Sequence, residues 1–491
     1  STISKPIFSK RWKRVNKMSI SKNQVIHFIL ILLFIAEIDY SFRQHEHKTL
    51  DGDMALITAP SKFYTTILDE PFGLKASIHH EKYAGSNRYY IHKAMVIYYK
   101  KVYPVFSSFF TDKVDFLYKF TGLFQLIIQL FIILLLVYYS VKLEVINRTK
   151  ILFLILLISS LFQTHGFSNS IGVIDHSVTY TFFYALPLFA FMVFLLPYLH
   201  WNIENKSVYV KIICAVFWIP FAFILSMSGA IIPPLGFMIA GVILLYIIRI
   251  AFKKYQILHN QSQRYKVIPF FSIITLSVFL LCCMYSYYVG LYNTENSLFV
   301  PLIFRYEKLI EGLKLYFIQD VSFLLIGILL LVNFYLIQRS KIKIPFYVWL
   351  MLVMSVSFVL LLPLGGYRSY RPNIIRNDTF LPVTLMLFYF IARSTTVILS
   401  RTKFSKMYVV FLCIVMLIFT YADKPNFNED YCQRMQIKKL QHSKEKITSL
   451  SSDCPILTWD CTSDTQWTID GSKMLYYWNI TDSVRIYKHA N

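Results

Sequence analysis

Val25-Ile-His-Phe-Ile-Leu-Ile-Leu-Leu-Phe-Ile-Ala-Glu-Ile38 is apolar at every position except His27 and Glu37, and the chain then runs polar for roughly 80 residues before the next such stretch. Ahead of it stand Lys10, Arg11, Lys13, Arg14 and Lys17, the basic flank that keeps a segment's N-terminal end in the cytoplasm. No small-residue cleavage site follows, so the stretch reads as a retained membrane helix rather than a removed signal. Working outward, about eleven stretches of membrane-crossing length appear, at approximately 24–39, 118–141, 151–167, 177–198, 209–228, 231–249, 267–289, 320–337, 345–363, 379–398 and 406–421.

Composition agrees. Of 491 residues, 56% are hydrophobic, 17% aromatic and 16% charged, an apolar balance uncommon in water-soluble domains. The net charge of +23 raises the question of nucleic acid, but its placement answers it. Arg249, Lys253, Lys254, Arg264 and Lys266 fall in one short connection, and basic residues also mark 142–150, 200–211, 339–343 and 393–406. That alternation is the positive-inside pattern, so membrane orientation accounts for the charge and no nucleic-acid partner is implied.

The expected fold class is an all-α polytopic membrane protein with N-terminus inside and C-terminus outside. Residues 1–23 form a basic cytoplasmic arm, 24–421 the membrane domain, and 422–491 a small extracytoplasmic region resting on the membrane domain or on the 39–117 loop. The turn Gly229-Ala-Ile-Ile-Pro233-Pro234 reads as a hairpin between two spans. Merging them into one re-entrant segment would put the basic 249–266 connection outside. Cys214, Cys282, Cys283 and Cys413 lie in spans as small apolar packing residues. In the tail, a Cys454–Cys461 disulfide with Cys432 left over is the expected pairing in an oxidising compartment.

Three outer constellations carry candidate chemistry. In the first loop, Thr49-Leu-Asp51-Gly-Asp53-Met-Ala-Leu follows Asp39, His45, Glu46 and His47. Carboxylates on either side of a glycine can converge on a hydroxyl proton or a divalent ion, Mg or Mn, and near a low-dielectric surface one can serve as a general base. The competing reading is a solvated turn.

The second constellation is Gly365-Gly-Tyr367-Arg368-Ser-Tyr370-Arg371-Pro372, followed by Arg376-Asn-Asp378. Three arginines in a short outer loop run against orientation bias, so they suit phosphate binding, with Tyr367 and Tyr370 stacking on a sugar or lining a lipid path. Contact with lipid headgroups is the alternative, and Asp378 can neutralise Arg376.

The third is Arg305-Tyr-Glu307-Lys308 through Glu311 to Asp320, whose spacing predicts an amphipathic interfacial helix. Its structural role competes with one in which Arg305 or Lys308 adds positive charge beside an anionic lipid. Asp175-His176 reads as capping before Ser177. No P-loop, dinucleotide glycine pattern, His-Glu-x-x-His or Gly-x-Ser-x-Gly occurs, and charges are scarce in mid-span.

These parts in this order resemble the GT-C superfamily of integral-membrane glycosyltransferases. That family joins many spans to a large first extracytoplasmic loop bearing a catalytic acidic residue soon after span 1. Asp51-Gly-Asp53-Met-Ala-Leu-Ile occupies that place, with Asp69-Glu70-Pro71-Phe72-Gly73 later in the same loop. The resemblance covers most of residues 1–421, but Asp-Gly-Asp replaces the usual Asp-Glu pair and no subfamily signature accompanies it.

The resemblance implies a donor sugar linked to polyprenyl phosphate and an acceptor that is a glycan, lipid or protein. It also implies a site facing the exterior, in a bacterial cytoplasmic membrane. Asp53 would take the acceptor proton, Asp51 or Asp39 would assist, and Arg368, Arg371 or Arg376 would hold the phosphate. The alternatives are an O-antigen-type polymerase or ligase, whose large loop usually comes late, and a lipid or polysaccharide transporter, which calls for broken helices near mid-membrane.

Overall fold

The computed structural model describes residues 22–490, apart from 142–143, 145, 163–172, 175, 202, 258–268, 296–299, 320, 344–345, 370–371 and 404. Among the described residues, ten helices are long and apolar enough to cross a membrane. The chain is an all-α polytopic membrane protein. The predicted 151–167 span is the helix Arg148–Leu161, which has 14 residues and so is not among the ten; beyond its C-cap Phe162, residues 163–167 of that span lie outside the described residues.

The helices named below are α1 (Lys22–Glu46), α2 (Gly52–Thr58), α3 (Tyr89–Ile97), α4 (Lys113–Val141), α5 (Arg148–Leu161) and α6 (Val178–Leu199). They continue with α7 (Val208–Ser226), α8 (Ile232–Gln256), α9 (Phe270–Gly290), α10 (Leu302–Gln319), α11 (Val321–Arg339) and α12 (Phe346–Leu361). Last come α13 (Asn377–Arg401), α14 (Ser405–Ala422), α15 (Tyr431–His442) and α16 (Ile469–Tyr477).

Side-chain caps fix where several helices begin. The Asn147 carboxamide oxygen accepts from Lys150 N at 3.0 Å ahead of α5, and Ser207 Oγ accepts from Val210 N ahead of α7. The 227–231 turn separates α7 from α8 as two helices, with Gly229 at φ +146°, a conformation that favours glycine, and Pro233 in the first turn of α8, where no amide hydrogen is needed.

Helix α13 forms the centre. Its apolar window is 83% buried, against 6% for α1, so α13 packs among other helices while α1 shows most of its surface to lipid. In lipid the hydrophobic effect does not draw helices together, and packing with interhelical hydrogen bonds takes its place. One such knot ties α11, α13 and α14. Asn333 Nδ2 donates to Ser394 Oγ at 2.7 Å, Tyr408 OH donates to Asn333 Oδ1 at 2.5 Å, and Tyr408 OH also meets Thr395 Oγ1 at 2.8 Å. Bonds of this type contribute about 0.6 kcal/mol each.

Connections meet at both ends of the bundle. At one end Glu144 accepts from Arg393 at 3.0 Å and Arg401 at 2.9 Å, and Lys150 Nζ donates to Leu399 O at 2.7 Å, joining the 142–150 and 393–406 connections. At the other end the first loop, the 291–301 segment and the 364–376 segment converge. The expected amphipathic helix is α10, with Gly312 facing Ile375.

The C-terminal region lies on the first loop. Gln433 accepts from Leu50 N at 2.7 Å and Tyr118 OH at 2.6 Å, and the fully buried Trp478 donates its indole N–H to Tyr99 O at 3.2 Å. A short parallel pair, β1 (Ile447–Leu450) with β2 (Ile486–His489), closes it. The disulfide joins Cys432 and Cys454, correcting the expected Cys454–Cys461 pairing; Cys461 is free. The reason is a fold-back. The segment after β1 returns to the start of α15, where Gln433 Nε2 donates to Pro455 O, which brings the two cysteine Cα atoms within 6.1 Å.

Candidate functional site

The two aspartates of Asp51-Gly-Asp53 go separate ways. Asp51 is buried at the N-cap of α2 and accepts four hydrogen bonds. Its donors are Met54 N (3.0 Å), Ser177 Oγ (2.7 Å), Thr179 N (3.1 Å) and Thr179 Oγ1 (2.7 Å). That saturates the carboxylate and pins the first loop to the start of α6, leaving it no lone pair aimed at a substrate. Ser177 itself caps α6, while Asp175 lies outside the described residues.

Asp53, half-buried in the first turn of α2, accepts from Trp459 Nε1 at 3.1 Å. Gly52 between them is dictated by close approach, since a Cβ there would lie 2.5 Å from Trp459 N. Asp39 is exposed on α1 and paired with Arg43 at 2.9 Å.

The arginines behave differently. A cavity of about 410 Å³ opens between the first loop, the α7–α8 turn, the end of α9 and the 361–379 segment. Arg368, Arg376 and Tyr367 line it, and so does Arg88, which sequence reasoning missed. Arg88 reaches the cavity because its loop is tied to the end of α9. Gly85 N donates to Asn293 Oδ1 at 3.0 Å, Ser86 Oγ to Val289 O at 2.8 Å, and Asn87 Nδ2 to Ser286 O at 3.3 Å. The signal was present in Asn87-Arg88-Tyr89-Tyr90, an outer arginine beside aromatics like those of the 367–371 segment.

Glu295, also missed, ties two of the arginines together. Its Oε2 lies 3.4 Å from Arg88 Nη1 and 3.0 Å from Arg368 Nη2. Burial would push this carboxyl up, but the two guanidiniums prevail and hold it below the usual carboxylate range. Behind Arg88, the fully buried His92 donates its Nδ1–H to Arg88 O (2.9 Å), and burial pushes its imidazole down to about 4. Arg376 pairs with Asp378 at 3.1 Å through Nη2, whereas its buried Nη1 has no hydrogen-bond partner among the described residues. A buried guanidinium N–H is able to donate to an anion.

Most of the remaining wall is apolar, with Pro233, Phe237, Met238, Phe358 and Leu361 prominent, and Asn87, Asn293, Asn373 and Thr379 add polar groups. A second cavity of about 680 Å³ follows along the same two helices, lined by Ile239, Ile243 and Tyr246 of α8 and by Leu350, Met351 and Met354 of α12. Pro234 to Tyr246 along α8 corresponds to roughly 18 Å of helix.

The remaining predicted residues lie elsewhere. Arg305 is buried but spent on backbone, donating to Val300 O at 2.9 Å and Pro363 O at 3.0 Å, which fixes α10 against the turn after α12. Lys308 pairs with Glu311 at 2.6 Å on the exposed side of α10. Tyr370 and Arg371 lie outside the described residues. None of Asp39, Asp51 and Asp53 lines the arginine cavity. A ladder of rings nevertheless leads there from Asp53: Trp459 to Tyr180 (6.3 Å between centroids), Tyr180 to Tyr184 (5.9 Å), and Tyr184 lines the cavity.

Among the described residues no group of three or more His, Cys, Asp or Glu side chains is placed to hold a metal ion. Comparison with protein-family models, curated proteins and solved structures finds no match to this chain.

Proposed function

We propose that this protein is a membrane glycosyltransferase that moves a sugar from a polyprenyl-phosphate donor to a glycan, lipid or protein acceptor, at the end of the bundle where its long loops meet. The observation that carries the reading is the arginine cavity, in which Arg88, Arg368 and Arg376 share a largely apolar space. A lipid phosphate supplies the complement to both parts, anion to guanidinium and hydrocarbon to the apolar wall. The second cavity, further along α8 and α12, suits the hydrocarbon chain.

Transfer breaks the bond between the sugar's anomeric carbon and the phosphate oxygen, forms one to the acceptor oxygen, and leaves added negative charge on the lipid phosphate. Guanidiniums fixed beforehand stabilise that charge as it develops. The acceptor hydroxyl must lose a proton, and Asp53 is the better placed of the loop aspartates, because Asp51 is saturated by its four donors. In this reading the acceptor lies along the Trp459–Tyr180–Tyr184 ladder, between Asp53 and the cavity. In the same reading the charge alternation of the connections turns this end to the exterior, and the resemblance implies a bacterial cytoplasmic membrane.

A second reading, an O-antigen-type polymerase or ligase, draws support from one observation. The cavity is lined by arginines, and the first loop's aspartates are outside the lining.

The test is transfer of labelled sugar from polyprenyl phosphate in proteoliposomes. Arg376→Ala should lower both donor binding and transfer by at least about tenfold. Asp53→Asn should lower transfer alone under the first reading and leave it intact under the second. Donor binding unchanged by loss of Arg88, Arg368 and Arg376 together would sink both.

A further inference from the structure

Resting on the lipid-phosphate reading of the arginine cavity, we infer that Glu295 is a specificity determinant that restricts this site to a singly charged phosphodiester head and disfavours a diphosphate. One carboxylate oxygen of Glu295 serves both Arg88 at 3.4 Å and Arg368 at 3.0 Å, and the Tyr64 hydroxyl approaches the other at 3.5 Å. The backbone beside it is fixed as well, since Asn293 Oδ1 accepts from both Glu295 N at 3.1 Å and Gly85 N at 3.0 Å. Glu295 is therefore locked behind the guanidiniums rather than free to swing into the cavity.

This position decides the charge that a ligand meets. Among the described residues, Arg88, Arg368 and Arg376 bring three positive charges, and Glu295 and Asp378 bring two negative ones. Among these five described groups about one positive charge stays uncompensated, and the unpartnered Nη1 of Arg376 is an atom that presents it. A phosphodiester carries one negative charge and matches. A diphosphate brings more, and the excess would sit unneutralised in an apolar enclosure, which is costly. Glu295 is poorly suited to the alternative task of general base, because its two cationic partners favour the ionised form. It acts through the guanidiniums and is a positioning residue.

The experiment compares the affinity of the purified full-length protein for farnesyl methyl phosphate, a singly charged diester, and for farnesyl diphosphate. The wild type should prefer the diester. Glu295→Gln keeps the shape and removes the charge, so it should shift the affinity ratio toward the diphosphate by at least about tenfold. Glu295→Asp should restore the wild-type ratio. A merely structural role would weaken both ligands in parallel, and that unchanged ratio overturns the inference while sparing the lipid-phosphate reading. A wild type that prefers the diphosphate overturns it without recourse to any variant. Binding of neither probe by the wild type overturns the lipid-phosphate reading itself.

Discussion

Arg88 and Arg368 meet at a single atom, Oε2 of Glu295, although one belongs to the first loop and the other to the segment after α12. The contact closes the ring of elements around the arginine cavity and holds two guanidiniums at fixed spacing. Removing either arginine leaves a buried carboxylate with half its compensation, so Arg88→Ala and Arg368→Ala should each lower stability by roughly 1–3 kcal/mol. Arg376→Ala, whose partner Asp378 lies in the same turn, should cost less stability and more ligand affinity. Thermal unfolding and farnesyl methyl phosphate titration of the three variants separate the roles. Equal effects on both readouts in all three would contradict it.

The two aspartates of the first loop should part company in the same way. Asp51→Asn keeps a cap but disrupts bonds from Ser177 and Thr179, and should destabilise by about 1–3 kcal/mol whatever its effect on transfer. Asp53→Asn should leave the unfolding temperature near that of the wild type and lower transfer by at least about 10²-fold. A large stability loss at Asp53 would reassign it to holding Trp459.

Gly52 offers a purely steric test. A methyl group there meets the backbone of Thr458 and Trp459 at 2.8 and 2.5 Å, so Gly52→Ala should loosen the C-terminal region from the first loop. The expected sign is faster proteolytic cleavage within 451–465, with the membrane helices still folded. Wild-type cleavage kinetics would show that the backbone yields easily.

Acid should weaken the protein through His92. Its folded value is lowered to about 4 by burial, against an ordinary value of 6.5, so the unfolded chain binds the proton first. Stability is then complete above pH 6.5 and falls as pH drops toward 4, by on the order of 3 kcal/mol across that window. Glu295 adds the same sign lower down, because its carboxyl is held below the usual range and its contribution is lost once it protonates. Unfolding followed from pH 7 to 4.5 should show a slope that His92→Gln removes. An unchanged slope in that variant would place the titration elsewhere.

Much of the fold was legible because bilayer thickness and charge alternation act on every span alike. Val25–Ile38, the paired helices around Pro233 and the amphipathic Leu302–Gln319 all follow from local composition. The site was legible only in part. Arg368 and Arg376 stood out because cations in an outer loop defy a general rule, and Arg88 is the same anomaly diluted in a longer loop. Glu295 carries no such mark. Its importance comes from a meeting of three distant segments, which no local pattern encodes. The saturation of Asp51 is likewise tertiary, since three of its four bonds come from Ser177 and Thr179.

The second cavity supplies the last test, because it asks where the hydrocarbon goes. If a polyprenyl chain leaves the arginine cavity along α8 and α12, a bulky side chain on either helix should block long chains and spare short ones. Ile243→Trp and Met354→Trp each place a ring in that space, one from α8 and one from α12. In a series of phosphodiester lipids from two to eleven isoprene units, the wild type should gain affinity with length until the cavity fills, at about 0.8 kcal/mol per buried methylene as an upper limit. The two tryptophan variants should match the wild type for the shortest lipid and lose the gain for the longer ones. A uniform loss at every length would mean that the substitutions distort the arginine end. No loss at any length would mean that the chain lies on the outside of the bundle, in ordinary lipid.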